Sequence, residues 1–223
     1  MIFFTELENL PTFDAKGEYL GRLVDMVVDP SQNSLRVAAY LVKPPKRTLR
    51  AIPYDQMQSL SVRAAQTNCA TEGIRESALD EGLMRVKQDV LDQQIIDVNH
   101  RKVVRVNDVD FDIQPADGHT ELRIVAVNVG LAAALRRLLQ GLAAKHTIRL
   151  VTALVPSKTI PWEFVNLIEP DLARRLRLRI TYDRLAQLHP ADIADILEEL
   201  SREDQKAVIE SLDDETAAHA LSE

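Results

Sequence analysis

The stretch LHPADIADILEELSREDQKAVIESLDDETAAHALSE, from Leu188 to Glu223, repeats with a period of twelve residues. Leu188, Leu200 and Leu212 stand twelve apart, as do Ile196, Val208 and Ala220, and Leu197, Ile209 and Leu221. Asp192, Asp204 and Thr216 fall at matching polar positions. A unit of this length holds two turns of helix and a corner, too little to bury its own apolar side, so such units must stack. The stretch therefore reads as an all-helical repeat with a binding or sensing surface rather than a catalytic pocket. Pro190 suits a first helical turn, where its missing N–H costs nothing. Ser201 begins a capping box with Asp204, and Asp213 can cap the next helix ahead of Glu215 and Thr216. Ile193, Ile196, Leu197 and Leu200 have i, i+3, i+4, i+7 spacing and face the stack. Asp192, Asp195, Glu198 and Glu199 then point largely outward.

This end of the chain also holds the acidity. From His189 to Glu223 eleven acids stand against Arg202 and Lys206, a net of −9, whereas the whole chain carries −7 and residues 1–188 about +2. Such a face either solvates the helices or collects divalent cations or a basic partner. Just before it, DLARRLRLRITYDRLAQ (171–187) reads as a basic helix with Arg174, Arg175, Arg177 and Arg179. Its sign and position favour neutralising the acidic repeat over contacting phosphate.

Further upstream a second, looser repeat appears. FDAKGEYLGRLVDMVVD (13–29) matches IDVNHRKVVRVNDVDFD (96–112), pairing Asp14 with Asp97, Arg22 with Arg105, Asp25 with Asp108 and Asp29 with Asp112. SLRVAAYLV (34–42) matches ELRIVAVNV (121–129), and AIPYDQMQSL (51–60) matches TIPWEFVNLI (159–168). The blocks read as short strands separated by turn chemistry, as in a small barrel or folded sheet. Pro53 and Pro161 are expected where a strand begins. The second copy alone carries GLAAALRRLLQGLAAKH (130–146), an amphipathic helix with Leu131, Leu135, Leu138, Leu139 and Leu142 on one side, expected to pack on the barrel. Arg136, Arg137, Lys145 and Arg149 make its surroundings basic.

Catalytic signatures are missing. The chain has no nucleophile elbow, Walker-type loop, zinc-protease motif or dinucleotide turn, and only seven glycines. Its histidines (100, 119, 146, 189, 219) lack ligand spacing, and Cys69 stands alone, which excludes an internal disulfide and fits a reducing compartment. MIFFTELENL, without a basic start or a following apolar stretch, is a better first strand than a signal peptide. No apolar run reaches the eighteen or more residues of a membrane span.

The duplicated unit, with LGRLVDMVVD, SLRVAAYLV and AIPYDQM, resembles the PRC-barrel family of small β-barrels used for interaction and assembly. The second copy departs from the pattern where Gly21 becomes Val104. The acidic stretch resembles the cytosolic N-terminal domain of MgtE-type magnesium transporters, on LHPADIADILEEL, LSREDQKAVIESL and DDETAAHALSE. Together the resemblances imply an α+β multidomain chain. Two small PRC-like β-barrels (1–85 and 86–170, the second with the 130–146 insertion) precede an all-α superhelical repeat domain (171–223). They further imply a non-enzymatic regulatory region, cytoplasmic or at the inner face of the membrane, in which the repeat docks to CBS domains in a Mg2+-dependent way. Those CBS domains would lie in the same longer chain or in a homo-oligomer mate. The chain, which ends inside a repeat, would be the N-terminal part of that longer protein.

Mg2+ takes oxygen ligands octahedrally and keeps most of its waters, so one or two carboxylates from each side suffice. Asp192 and Asp195 lie one turn apart, and Asp195 and Glu199 are i, i+4 neighbours. With Glu198 they are the candidate metal residues, forming a half-site that is weak without its partner. Purely solvating acids remain the alternative. Two other functions stay open: a scaffold whose barrels bind a protein partner, and an RNA- or ribosome-associated module, which the acidic balance and the ten aromatic residues disfavour.

Overall fold

Short β-branched and aliphatic runs in the first 168 residues become strands. The computed structural model describes residues 1–30, 35–45, 48–75, 77, 79, 82–139, 158–168 and 183–222. The first unit comprises β1 (Ile2–Phe3), α1 (Phe4–Leu7), β2 (Pro11–Phe13), β3 (Tyr19–Val28), β4 (Val37–Lys43), β5 (Arg50–Pro53), a 3-10 turn (Tyr54–Gln56), β6 (Met57–Leu60) and β7 (Ala65–Thr67). The second repeats the order with β8 (Met84–Arg85), α2 (Val86–Asp89), β9 (Gln94–Asp97), β10 (Lys102–Arg105), β11 (Asp108–Ala116) and β12 (His119–Asn128). Then come α3 (Leu131–Leu139), β13 (Thr159–Pro161), a 3-10 turn (Trp162–Phe164) and β14 (Val165–Leu167).

The two units interlock. Strands run β5-β4-β3-β2-β7-β6 in one sheet, with β8 joined to β3; β1-β11-β12-β13 in a second; and β10-β9-β14 in a third. Each unit thus lends its first strand to the hairpin of the other. Ile2 and Phe3 pair with Phe111 and Asp110, while Met84 and Arg85 pair with Val28 and Val27 at the corresponding positions. One apolar core runs through both, containing Phe4 and Leu7 from the first and Val86, Val90 and Phe111 from the second. Strand β8 lies just before the expected division after residue 85, yet it opens the second unit and pairs with β3 of the first.

The paired aspartates explain how the exchange is held. Asp25, 3% exposed, accepts hydrogen bonds from the N–H groups of Met26 and Lys87 (2.8 Å each) and from Arg85 Nε (3.3 Å). Its counterpart Asp108, fully buried, accepts from Val109 N–H (3.0 Å), Thr5 N–H (3.2 Å) and Thr5 Oγ1 (2.6 Å). Each therefore satisfies an N-terminal N–H of the other unit's short helix, which would otherwise be an orphan donor. Arg22 and Arg105 likewise play one role, donating to the carbonyls of Asn9 (2.9 Å) and Asp92 (2.7 Å), both at φ 63°. Where the units meet, Arg36 and Arg123 bridge across β4 and β12, and Glu121 accepts from both guanidinium groups (3.2 and 3.0 Å). Arg123, then Arg36, hold the Glu121 carboxyl below its ordinary value.

Departures from repetition have local causes. Gly21 has φ 146°, and a Cβ there would lie 2.4 Å from the Lys43 carbonyl oxygen, so only glycine lets β3 run unbroken beside that segment. With Val104 in its place, the second unit splits the strand into β10 and β11 around Val106–Asn107. Pro53 and Pro161 end their strands rather than begin them. Their φ of −57° and −55° leads into the 3-10 turns that follow. Helix α3 forms as expected but buries Ala132 and Ala133, leaving Leu131 and Leu138 74% and 70% exposed, because the close approach to β11 favours the small residues. The rest of the expected 130–146 helix, with Leu142, Lys145 and Arg149 nearby, lies outside the described residues, as do Arg174, Arg175, Arg177 and Arg179 of the expected 171–187 helix. The end of that segment, 183–187, is turn rather than helix.

The acidic stretch forms α4 (Pro190–Glu198), α5 (Arg202–Ile209) and α6 (Asp214–Ser222). Pro190 takes the first turn after His189, whose ring accepts from Ala191 N–H. Ser201 accepts from Asp204 N–H (3.2 Å) and its hydroxyl donates to the Asp204 carboxylate (2.7 Å). Asp213 accepts from Thr216 N–H (2.9 Å) and hydroxyl (2.7 Å), and these bonds hold its carboxyl below the usual range. Gln205 donates to the carbonyls of Leu197 and Leu200, closing the end of α4. Among the described residues no helix is long and apolar enough to cross a membrane.

Candidate functional site

The acidic helices lie against the second β unit, and the site begins with the period of two in β9. Successive side chains of a strand point to opposite sides. Ile95 enters the main core, and Ile96 faces the helices with Val98. There they join Ile193, Ile196 and Leu197 of α4, and Leu200 just after it, in a second apolar cluster, to which Val208, Leu212 and Leu185 also belong. Ile193 and Ile196 are fully buried. The apolar spacing in the sequence therefore identified the buried side of α4, and the structure places both neighbouring helices and the β unit on it.

Polar contacts frame this seam. Arg101 Nη1 donates to Asp192 Oδ1 (3.0 Å), and Val103 N–H on the outer edge of β10 donates to Glu199 Oε2 (2.8 Å). Arg184 donates to the Glu163 carbonyl and lies with its guanidinium 5.9 Å from the Phe164 ring centroid. With Arg101 57% and Asp192 20% exposed in their side chains, that pair adds at most about 1 kcal/mol. Each buried large aliphatic side chain of the seam is worth about 2 kcal/mol, so apolar contact supplies most of the adhesion and the polar contacts set its register.

Arg101 occupies an unusual conformation. Its φ is 51°, the left-handed region, which costs a non-glycine residue roughly 1–2 kcal/mol. In the first unit the corresponding turn uses Gly17 at φ 83°. Both turns hang from a buried aspartate. Asp14 accepts from Lys16 and Glu18 N–H (2.8 Å each) and from Thr71 N–H and hydroxyl; Asp97 accepts from His100 N–H (3.1 Å) and lies 2.8 Å from His100 Nδ1. Burial pushes the Asp14 carboxyl up, but these donors, Glu18 first, outweigh it and leave it below its ordinary value.

The four candidate metal residues divide into two pairs. Asp192 and Glu199 are engaged by the β unit, while Asp195 and Glu198 are exposed on α4. Among the described residues no group of three or more His, Cys, Asp or Glu side chains is placed to hold a metal ion. This donor set fits a hydrated cation gripped from one side by one or two carboxylates, with further ligands coming from elsewhere. Sequence reasoning missed Arg101, Val103 and the two-sided burial of Ile95-Ile96. The signals were the glycine-free turn VNHR (98–101) and the unbroken apolar pair in β9.

The remaining candidates take structural positions. His119 stacks edge-on against Tyr54 with ring centroids 5.5 Å apart, and Trp162 packs against the main core. Cys69 lies 3.4 Å from Gln56 Nε2. Residues 1–66 match the model of the PRC-barrel domain, and residues 188–223 match that of the MgtE intracellular N domain. The chain thus carries both domains, one at each end. No curated protein matches the chain.

Proposed function

We propose that the chain is a non-catalytic, cytosolic regulatory region of a magnesium-transporter-like protein, whose acidic helical repeat docks to CBS domains with Mg2+ between them. The observation that carries this reading is the repeat itself. It matches the MgtE intracellular N domain and presents Asp195 and Glu198 to solvent beside the docked seam. Neither matched domain is a catalytic one. The duplicated order of strands supports reading residues 86–170 as a second PRC-like barrel, interlocked with the first. The CBS partner would belong to the same longer chain or to a homo-oligomer mate.

The test is limited proteolysis of the full-length protein with and without Mg2+, repeated with Asp195→Asn and Glu198→Gln together. These two carboxylates make no contact with the β unit in the bonds described above. Magnesium-dependent protection that the double variant loses supports metal-bridged docking. Identical digestion with and without Mg2+ favours a second reading, a scaffold whose barrels bind a protein partner. The apolar packing of α4 on β9 and β10, through Ile96, Val98 and Val103, is the observation that favours that reading.

A further inference from the structure

The two β units present different charges where they correspond. Position for position, Glu18 and Tyr19 in the first unit stand where the second has Arg101 and Lys102. Phe13 and Tyr19 pack edge to face on the first, with ring centroids 5.7 Å apart. On the second, Arg101 reaches Asp192 from a left-handed turn, and the edge N–H of Val103 is covered by Glu199. An acidic, apolar-seamed helix fits the second face and is repelled by Glu18 on the first. The edge of β10 is also a row of backbone donors and acceptors that a sheet exposes at its own risk, and Glu199 closes one of them.

We propose that this face of the second unit is an intramolecular latch for the acidic repeat. In the closed state Asp192 and Glu199 serve Arg101 and the Val103 N–H; a cation or basic partner that takes those carboxylates must lift α4 from β10. Closed and ligand-bound states of this pair therefore exclude each other. The latch does not rest on the magnesium reading above, which uses Asp195 and Glu198; MgCl2 tests whether Mg2+ also takes Asp192 and Glu199. Arg101 is its most informative residue, because it holds a conformation that glycine would hold without strain.

Hydrogen exchange of the full-length protein, at constant ionic strength and without magnesium, tests this. Peptides covering 94–105 and 190–200 report the two sides of the contact, and β3–β4 serves as the reference. Arg101→Gly keeps the turn and removes the tie, so both peptides should exchange up to about fivefold faster while the reference is unchanged. Arg101→Glu should go further, and Glu199→Gln should act in the same direction. Unchanged protection of 190–200 in Arg101→Glu and Glu199→Gln would overturn the proposal. In the wild-type protein, faster exchange of both peptides on adding MgCl2 supports the exclusion. Slower exchange of both would refute it. If Arg101→Gly opens the contact and MgCl2 changes nothing, the latch stands and Mg2+ is not the ligand that opens it.

Discussion

Replacing Asp25 or Asp108 by alanine tests the interlocked core most directly. Asp108→Ala strands two backbone N–H groups (Thr5 and Val109) and the Thr5 hydroxyl, and Thr5 is itself only 6% exposed. An unsatisfied buried donor costs about 1–3 kcal/mol, so we expect a loss of about 3–4 kcal/mol. Asp25→Ala strands Met26 and Lys87 N–H, but Lys87 is exposed and water can reach its amide. Burial also raises the Asp25 carboxyl despite its Lys87 hydrogen bond, so its ionised form already costs something that alanine removes. About 2 kcal/mol remains. At about 2–4 °C per kcal/mol for a chain of this size, Asp108→Ala should lower Tm roughly twice as far as Asp25→Ala. Urea denaturation followed by circular dichroism and by Trp162 fluorescence gives both values. Because each unit holds a strand of the other, both probes should report one shared transition of the β region. Losses below about 0.5 kcal/mol, the scale of an ordinary surface substitution, or separate melting of the two units would refute the reasoning.

Three further outcomes are expected. Gly21→Ala should cost about 3 kcal/mol or more, from overpacking against Lys43 and from strain at φ 146°, whereas Val104→Gly should cost less; thermal melts of both variants decide it. Glu121→Ala leaves Arg36 and Arg123 facing each other and should lose about 1–2 kcal/mol, most of it recovered on adding Arg36→Leu, as a double-mutant cycle would measure. Stability should also fall on acidification. Asp14, Asp213 and Glu121 are held below their ordinary values, so their contributions are complete above 3.8 (4.5 for the glutamate) and fade as pH drops through the lowered folded values. Asp25, raised in the folded state, gains stability over part of the same descent and offsets some of the loss. A Tm that climbs steadily from pH 5 to pH 3 would contradict this balance.

The helix caps were legible because they are local. Ser201 with Asp204, Asp213 with Thr216, and Pro190 in a first turn each depend on residues within three positions of one another. The duplicated aspartates were legible as a pattern but not as a function. Asp25 and Asp108 find their partners 62 and 103 residues away, across the exchange of strands. The leucine side of α3 misled for a related reason. Periodicity marks an apolar side, and close packing against β11 selected Ala132 and Ala133 instead. Likewise the acids of α4 read as one outward surface until Arg101 and Val103 divided them.

By itself the sequence determined the duplicated strand blocks, the twelve-residue helical period, the apolar side of each repeat and the sign of each surface. These follow from spacing and side-chain chemistry along one chain. The tertiary structure alone decided that the two β units trade their first strands around one core. It also decided that the acidic repeat lies on the second unit rather than the first. Apolar burial has no direction and constrains only how much surface leaves water. The choice of partner came from contacts at long sequence separation: two buried carboxylates reaching the other unit's helices, and an arginine held in a left-handed turn opposite Asp192.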